Sequence, residues 1–162
     1  MEINRRNSFE RISSIPTLPF IGLVFLIKLL YSYAMVYFLD RYFSNGIRAG
    51  QFEFTSFAEE FFIAVLAAPV IETYLILYLP FKYLQETIYS FAIVILSSVL
   101  FGLLHHYNEY YQLYSFFSGL IYGFAYYAKL RTGNSFIIVT AVHMLYNACV
   151  VFSNHLWYAK LF

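Results

Sequence analysis

Glu72 is a carboxylic acid without a charged neighbour. It stands in Ala68-Pro69-Val70-Ile71-Glu72-Thr73-Tyr74-Leu75, with no Lys or Arg within seven positions on either side. In apolar surroundings such a group must be met by something polar from another part of the chain, and Pro69, three residues earlier, loosens a helix locally and frees a backbone carbonyl. Two patterns offer partners. In Phe101-Gly102-Leu103-Leu104-His105-His106, Phe101 and His105 are four apart and share a helix face, while Gly102 and His106 share the neighbouring one. In His143-Met144-Leu145-Tyr146-Asn147 the imidazole and the carboxamide are again one turn apart. Hydrolysis of a peptide bond needs an activated water, a proton donor for the leaving amine and donors for the oxyanion. Glu72, His105, His143 and Asn147 are groups of the right type. Each also has a structural reading as interhelical hydrogen-bonding glue, and one shared site is the simpler account of all of them.

Other chemistries fit less well. Glu72, His105 and His143 could form a two-His-one-carboxylate zinc set, but that would consume the deep carboxylate as a ligand, and Thr73 cannot replace it as a base. No metal and no cofactor are therefore expected. There is no His-Glu-x-x-His, and Phe117-Ser118-Gly119 lacks a glycine two before the serine, which weakens a rhomboid-like serine route. A haem held by His105 or His106 together with His143 is a further alternative. Of the remaining ionisable groups, Glu59 and Glu60 read as solvated first-turn carboxylates. Lys28, about eight residues into an apolar run, reads as snorkelling to the nearer membrane surface.

The elements that must position these residues are helices in a bilayer. Of 162 residues 61% are hydrophobic and 12% charged, against roughly 45–50% and 25% in soluble domains. That excludes a disordered chain, a nucleic-acid binder and an ordinary cytosolic enzyme. Tyr, Phe and Trp number 17, 19 and 1, which suits helices anchored at two interfaces. The lone Cys149 rules out an internal disulfide. A bilayer core needs about 20 apolar residues per helix, and five runs supply them, at Phe20–Leu39, Phe57–Leu79, Tyr89–His106, Leu113–Tyr127 and Phe136–Phe152. The expected fold is all-α, a polytopic transmembrane bundle of five spans.

For an N-terminus in the cytoplasm, six Lys and Arg fall inside (Arg5, Arg6, Arg11, Lys82, Lys129, Arg131) and three outside (Arg41, Arg48, Lys160), which the positive-inside rule favours. Residues 1–162 read as one domain, with 1–18 a cytoplasmic tail rather than a cleaved signal peptide and the motif-bearing core at 57–152. Ser115, Gly119 and Gly123 recur every four residues, a small-residue stripe for close helix packing. At about 1.5 Å per residue His105 lies nearer the outer boundary than Glu72, so tilt or a bend at Pro69 must bring them level.

Glu72, then Phe-x-x-x-His ending at His105, then His-x-x-x-Asn from His143 to Asn147, in that order on successive helices, resembles the CAAX-protease and bacteriocin-processing (Abi) family of intramembrane proteases. Ala68-Pro69 looks like that family too, as does Gly119-Leu-Ile-Tyr-Gly123 followed by Leu130-Arg-Thr-Gly133-Asn134-Ser. The resemblance covers about residues 57–152. It implies an endopeptidase in which Glu72 activates a water shared with His105, while His143 and Asn147 donate to the oxyanion. The partners it implies are membrane lipid and a peptide or protein substrate, and the location is the inner membrane of a prokaryote. One motif departs from the family's Glu-Glu-x-x-x-Arg, since Thr73 and Leu77 replace the second acid and the base together. A non-catalytic scaffold or a bacteriocin self-immunity protein of the same fold is the alternative reading.

Overall fold

The computed structural model describes residues 8–43 and 54–158. They form an all-α bundle of six helices: α1 (Ser8–Ser13), α2 (Thr17–Tyr42), α3 (Phe57–Leu84), α4 (Ser90–Leu104), α5 (Glu109–Lys129) and α6 (Ser135–Tyr158). The loop expected between the first two spans lies mostly outside the described residues. Three helices, α2, α3 and α6, are long and apolar enough to cross a membrane. The other two expected spans are helices as well but differ in kind. The 15 residues of α4 reach only about 22 Å at 1.5 Å each, and α5 is the more polar helix, held inside the bundle through Tyr114, Ser115, Ser118, Gly119, Tyr122 and Gly123. The chain is an integral membrane protein. Large apolar side chains cover its outer face, among them Leu30 at 62%, Leu103 at 60% and Ile137 at 67% exposure, the pattern of a surface solvated by hydrocarbon.

Local sequence explains the boundaries. Ser56 caps α3, its side chain accepting from the Glu59 N–H at 3.2 Å, and Asn108 caps α5 by accepting from the Tyr111 N–H at 2.8 Å. After α5 a single 3-10 turn, Leu130–Thr132, leads to Gly133 at φ 72°, a left-handed conformation that suits glycine and turns the chain into α6. The short α1 is tied back to the same end. Phe9 lies 4.7 Å from the Tyr127 ring, and the buried Lys129 ammonium donates to the Ser13 and Ile15 carbonyls. α1 and the loop after α5 therefore share one side of the bundle.

The small-residue stripe of α5 does what its spacing predicts. A Cβ on Gly119 would stand 2.8 Å from the Ser98 Cα, and one on Gly123 would stand 3.0 Å from Val94 Cγ1. These glycines let α4 and α5 approach backbone to backbone. The core then gathers Phe20, Ile76, Phe81, Ile93, Val94, Tyr126, Val139 and Val142 around that pair.

Candidate active site

The acid-bearing helix is not regular. In α3, π-helical turns at Phe61–Ala67 and Thr73–Tyr78 flank the α-helical segment Ala68–Glu72, and the Ala68 N–H reaches back five residues to the Ile63 carbonyl. Each π segment runs into a proline two residues beyond its end, Pro69 and Pro80. A proline ring crowds the carbonyl four residues before it and supplies no N–H, so the preceding turn widens to the longer register. Such bulges are frequent at functional sites because they re-aim side chains.

Glu72 is aimed between two imidazoles. Its Oε1 lies 3.9 Å from His105 Nε2 and its Oε2 lies 3.7 Å from His143 Nε2. Both separations exceed a direct hydrogen bond and suit groups that share a water or a substrate atom. The depth offset expected between Glu72 and His105 does not keep them apart, because α4 ends at Leu104 and leaves His105 as its C-cap. There the His105 Nδ1–H donates to the Phe101 carbonyl at 2.7 Å. A carbonyl can only accept, so the proton sits on Nδ1 and Nε2 is left facing Glu72. The Phe101 ring packs on both imidazoles, 4.5 Å from His105 and 5.8 Å from His143. His143 also packs on Tyr122, 4.7 Å between centroids. The two sides of the carboxylate differ: the His143 side chain is 7% exposed and that of His105 17%, so the Oε1 side is the more open.

Behind Glu72 lies a narrow cleft of about 10 Å³, lined by Thr73, Ile76, Leu77, Ser97, Phe101, Gly119, Tyr122 and His143. That volume matches about one water. His106 is exposed and lies against Tyr107, away from Glu72. Among the described residues no three His, Cys, Asp or Glu side chains form a group that could hold a metal. Thr73 and Leu77, the two departures from the family motif, are both buried in the cleft wall, and Leu77 joins the main core.

Asn147 has a different partner from the one expected of an oxyanion donor. Its Nδ2–H donates to the Ala64 carbonyl at 2.7 Å. In the i to i−5 register of this segment that carbonyl would accept from residue 69, which is proline and has no N–H to give. Asn147 thus supplies the bond that Pro69 cannot, and braces α6 against the bulge that aims Glu72. At the opening of α3, Glu59 accepts from the Thr55 N–H and hydroxyl at 2.8 and 2.5 Å. Glu60 meets His155 Nε2 at 2.8 Å, so it has a partner on α6 rather than being simply solvated.

Lys28 does not snorkel. It is 1% exposed and turns into the bundle, where its ammonium donates to Ser32 Oγ at 2.8 Å and to the Tyr114 hydroxyl at 2.7 Å. It also lies 3.8 Å from the centroid of the Tyr146 ring. A snorkel would put the charge in water, but two polar partners and a ring face are arranged inside, from α2, α5 and α6. This second polar cluster went unread in the sequence, as did the approach of Ser97 and Tyr122 to Glu72.

A model of the Rce1-like family, described as type II CAAX prenyl endopeptidase Rce1-like, matches residues 54–149. The matched segment contains Glu72, His105, His143 and Asn147 and takes in α3, α4, α5 and most of α6. No curated protein and no solved structure matches the chain.

Proposed function

The chain belongs to the Rce1-like family of type II CAAX prenyl endopeptidases, and from that premise we propose that it is an intramembrane endopeptidase in which Glu72 is the general base. The observation that carries this reading is the carboxylate held 3.9 and 3.7 Å from two imidazoles contributed by other helices. A water on the open side, between Glu72 Oε1 and His105 Nε2, gives a proton to the carboxylate as its oxygen attacks the scissile carbonyl carbon. His143, set by Tyr122 and Phe101, donates to the oxyanion that forms. When the tetrahedral intermediate collapses, the proton on Glu72 passes to the departing amine, leaving a new carboxylate and a new amino terminus. Glu72, His105 and His143 touch the reacting atoms; Asn147 acts through Ala64 as a positioning residue. The substrate is a membrane-associated peptide or protein, and the location proposed is a prokaryotic inner membrane, with the N-terminus in the cytoplasm and five spans.

The test uses the full chain in lipid nanodiscs with a prenylated peptide ending in a CAAX sequence, the new termini read by mass spectrometry. Cleavage by the wild type and its loss by 10²-fold or more in Glu72→Gln, the usual consequence of removing a general base, support the reading. Equal cleavage by the variant sinks it. A chelator should leave the rate unchanged, since no step here needs a metal; inhibition reversed by added zinc would move Glu72, His105 and His143 to ligand roles. Thr73 and Leu77 in place of the motif's acid and base favour a second reading, a non-catalytic peptide-binding or self-immunity protein. Absence of cleavage from wild type and variant alike, with the peptide still bound, would select it.

A further inference from the structure

Three buried polar atoms face the cleft behind Glu72 without a hydrogen-bond partner among the described residues: Glu72 Oε2, Ser97 Oγ and the Tyr122 hydroxyl. Ser97 is fully buried and Tyr122 is 2% exposed. Serines buried in a helix usually bond back to the carbonyl four residues before. Ser98 and Ser118 do so, to Val94 and Tyr114 at 2.7 and 2.9 Å, and Ser97, between the same two helices, does not. An unmet hydroxyl in such surroundings is costly, and here two of them converge with an unmet carboxylate oxygen on a space of about 10 Å³. A buried water typically makes about three hydrogen bonds to groups of this kind.

We propose that Ser97, Tyr122 and Glu72 Oε2 bind one buried water, and that Ser97 and Tyr122 are positioning residues which hold the Glu72 carboxylate through it. The water accepts from the Tyr122 hydroxyl and donates to Glu72 Oε2, with Ser97 as the third contact. It is distinct from the water that reacts, because it lies in the cleft behind Glu72 with Ser97 and Tyr122, whereas the reacting water lies between Oε1 and His105 Nε2. Bonding on Oε2 fixes the plane of the carboxylate and presents the free Oε1 to the reaction. Gly119 permits the arrangement, since any side chain there would push Ser98, and Ser97 with it, away from Tyr122. The function given to this water rests on Glu72 as the base; the site itself rests on the geometry alone.

Infrared difference spectra of the full chain in nanodiscs test it. Wild type minus Glu72→Gln identifies the Glu72 stretch, and exchange into ¹⁸O water identifies ordered water. The expected result is an ¹⁸O-sensitive water band in the wild type that is lost in Tyr122→Phe and in Ser97→Ala, each variant also displacing the Glu72 stretch. Tyr122→Phe keeps the ring against His143 and Phe101, and Ser97→Ala serves if that variant does not fold. A Glu72 stretch unmoved in the folded variants, or no such water band in the wild type, overturns the site. In the peptide assay kcat should fall about tenfold in Tyr122→Phe with KM unchanged, the scale of one lost hydrogen bond. Bands that move while Glu72→Gln cleaves normally leave the water site standing and remove the general-base reading. Bands that stay put while Glu72→Gln is inactive do the reverse.

Discussion

The bundle holds two buried polar clusters, and they are built on opposite terms. Around Lys28 the groups close on one another. The ammonium donates to Ser32 and Tyr114, the Ser32 and Tyr114 hydroxyls are 2.8 Å apart, Tyr114 and Tyr146 are 2.5 Å apart, and the Tyr31 hydroxyl donates to the Tyr114 carbonyl at 2.9 Å. Around Glu72 the nearest imidazole nitrogens stop at 3.7 and 3.9 Å, and three polar atoms have no hydrogen-bond partner among the described residues. A satisfied network rigidifies a core and an unsatisfied one costs stability. The bundle thus closes its polar groups at one cluster and leaves them open at the other. The contrast separates a polar group that serves packing from one that serves chemistry, a distinction that residue type alone does not make.

The strongest test of that contrast replaces the acid by a hydrocarbon of similar size. Glu72→Leu should abolish peptide cleavage, a fall of 10²-fold or more, and leave the bundle as stable as before or more stable by about 1 kcal/mol, because an acceptor unmet by protein is removed rather than a bond. Thermal unfolding followed by circular dichroism in detergent measures the second quantity. A loss of several kcal/mol would mean that Glu72 is structural glue after all, and the two clusters would be of one kind.

A second test strikes the backbone contact that puts Ser97 and Tyr122 near Glu72. Gly119→Ala places a methyl 2.8 Å from the Ser98 Cα and 3.1 Å from the Phe101 Cβ. Backbone cannot yield as a side-chain tip does, so α4 and α5 must separate, at about 1–3 kcal/mol by the usual scale of overpacking. The Lys28 cluster joins α5 to α2 and α6 on other residues, so the stability change caused by Lys28→Met should be the same in this variant as in the wild type. Full activity and stability in this variant would show that the close approach of α4 and α5 is not what assembles the cleft.

Much of this was legible in the residues. Four of the five apolar runs fall within a helix and the fifth, Tyr89–His106, overruns α4 by one residue at its start and two at its end, with ends shifted by up to about six residues overall, because hydrophobic length and turn residues are local properties. That Glu72, His105 and His143 meet was also legible, since polar groups in a greasy bundle have few other places to go. The π register of α3 was not: it is a negotiation between Pro69, Pro80 and the packing around them, and no period in the sequence announces it. The Ala64 carbonyl, which Pro69 cannot serve and which takes one N–H of Asn147, was hidden with it. Tyr122 and Ser97 were hidden by abundance, two hydroxyls in a chain with 17 tyrosines and no signal of which ones face the cleft. Lys28 was misplaced for a related reason, since whether a lysine turns outward or inward depends on partners that lie 86 residues away in the chain at Tyr114.

The smallest effect is expected at Lys28 itself. Lys28→Met removes the ammonium but keeps most of its length, and the Ser32, Tyr114 and Tyr146 hydroxyls remain bonded to one another without it. Breaking a buried ion pair is severe because the abandoned partner keeps its charge. No such partner is created here, since the groups that face the ammonium are hydroxyls and aromatic rings. The expected cost is about 1 kcal/mol, the net worth of one or two hydrogen bonds, with peptide cleavage within about twofold of wild type. A stability change of that size with activity kept would place Lys28 on the packing side of the comparison. A tenfold or greater loss of cleavage at unchanged stability would instead make this cluster part of the active site, acting on His105 and His143 through its charge, and the division between the two clusters would fall.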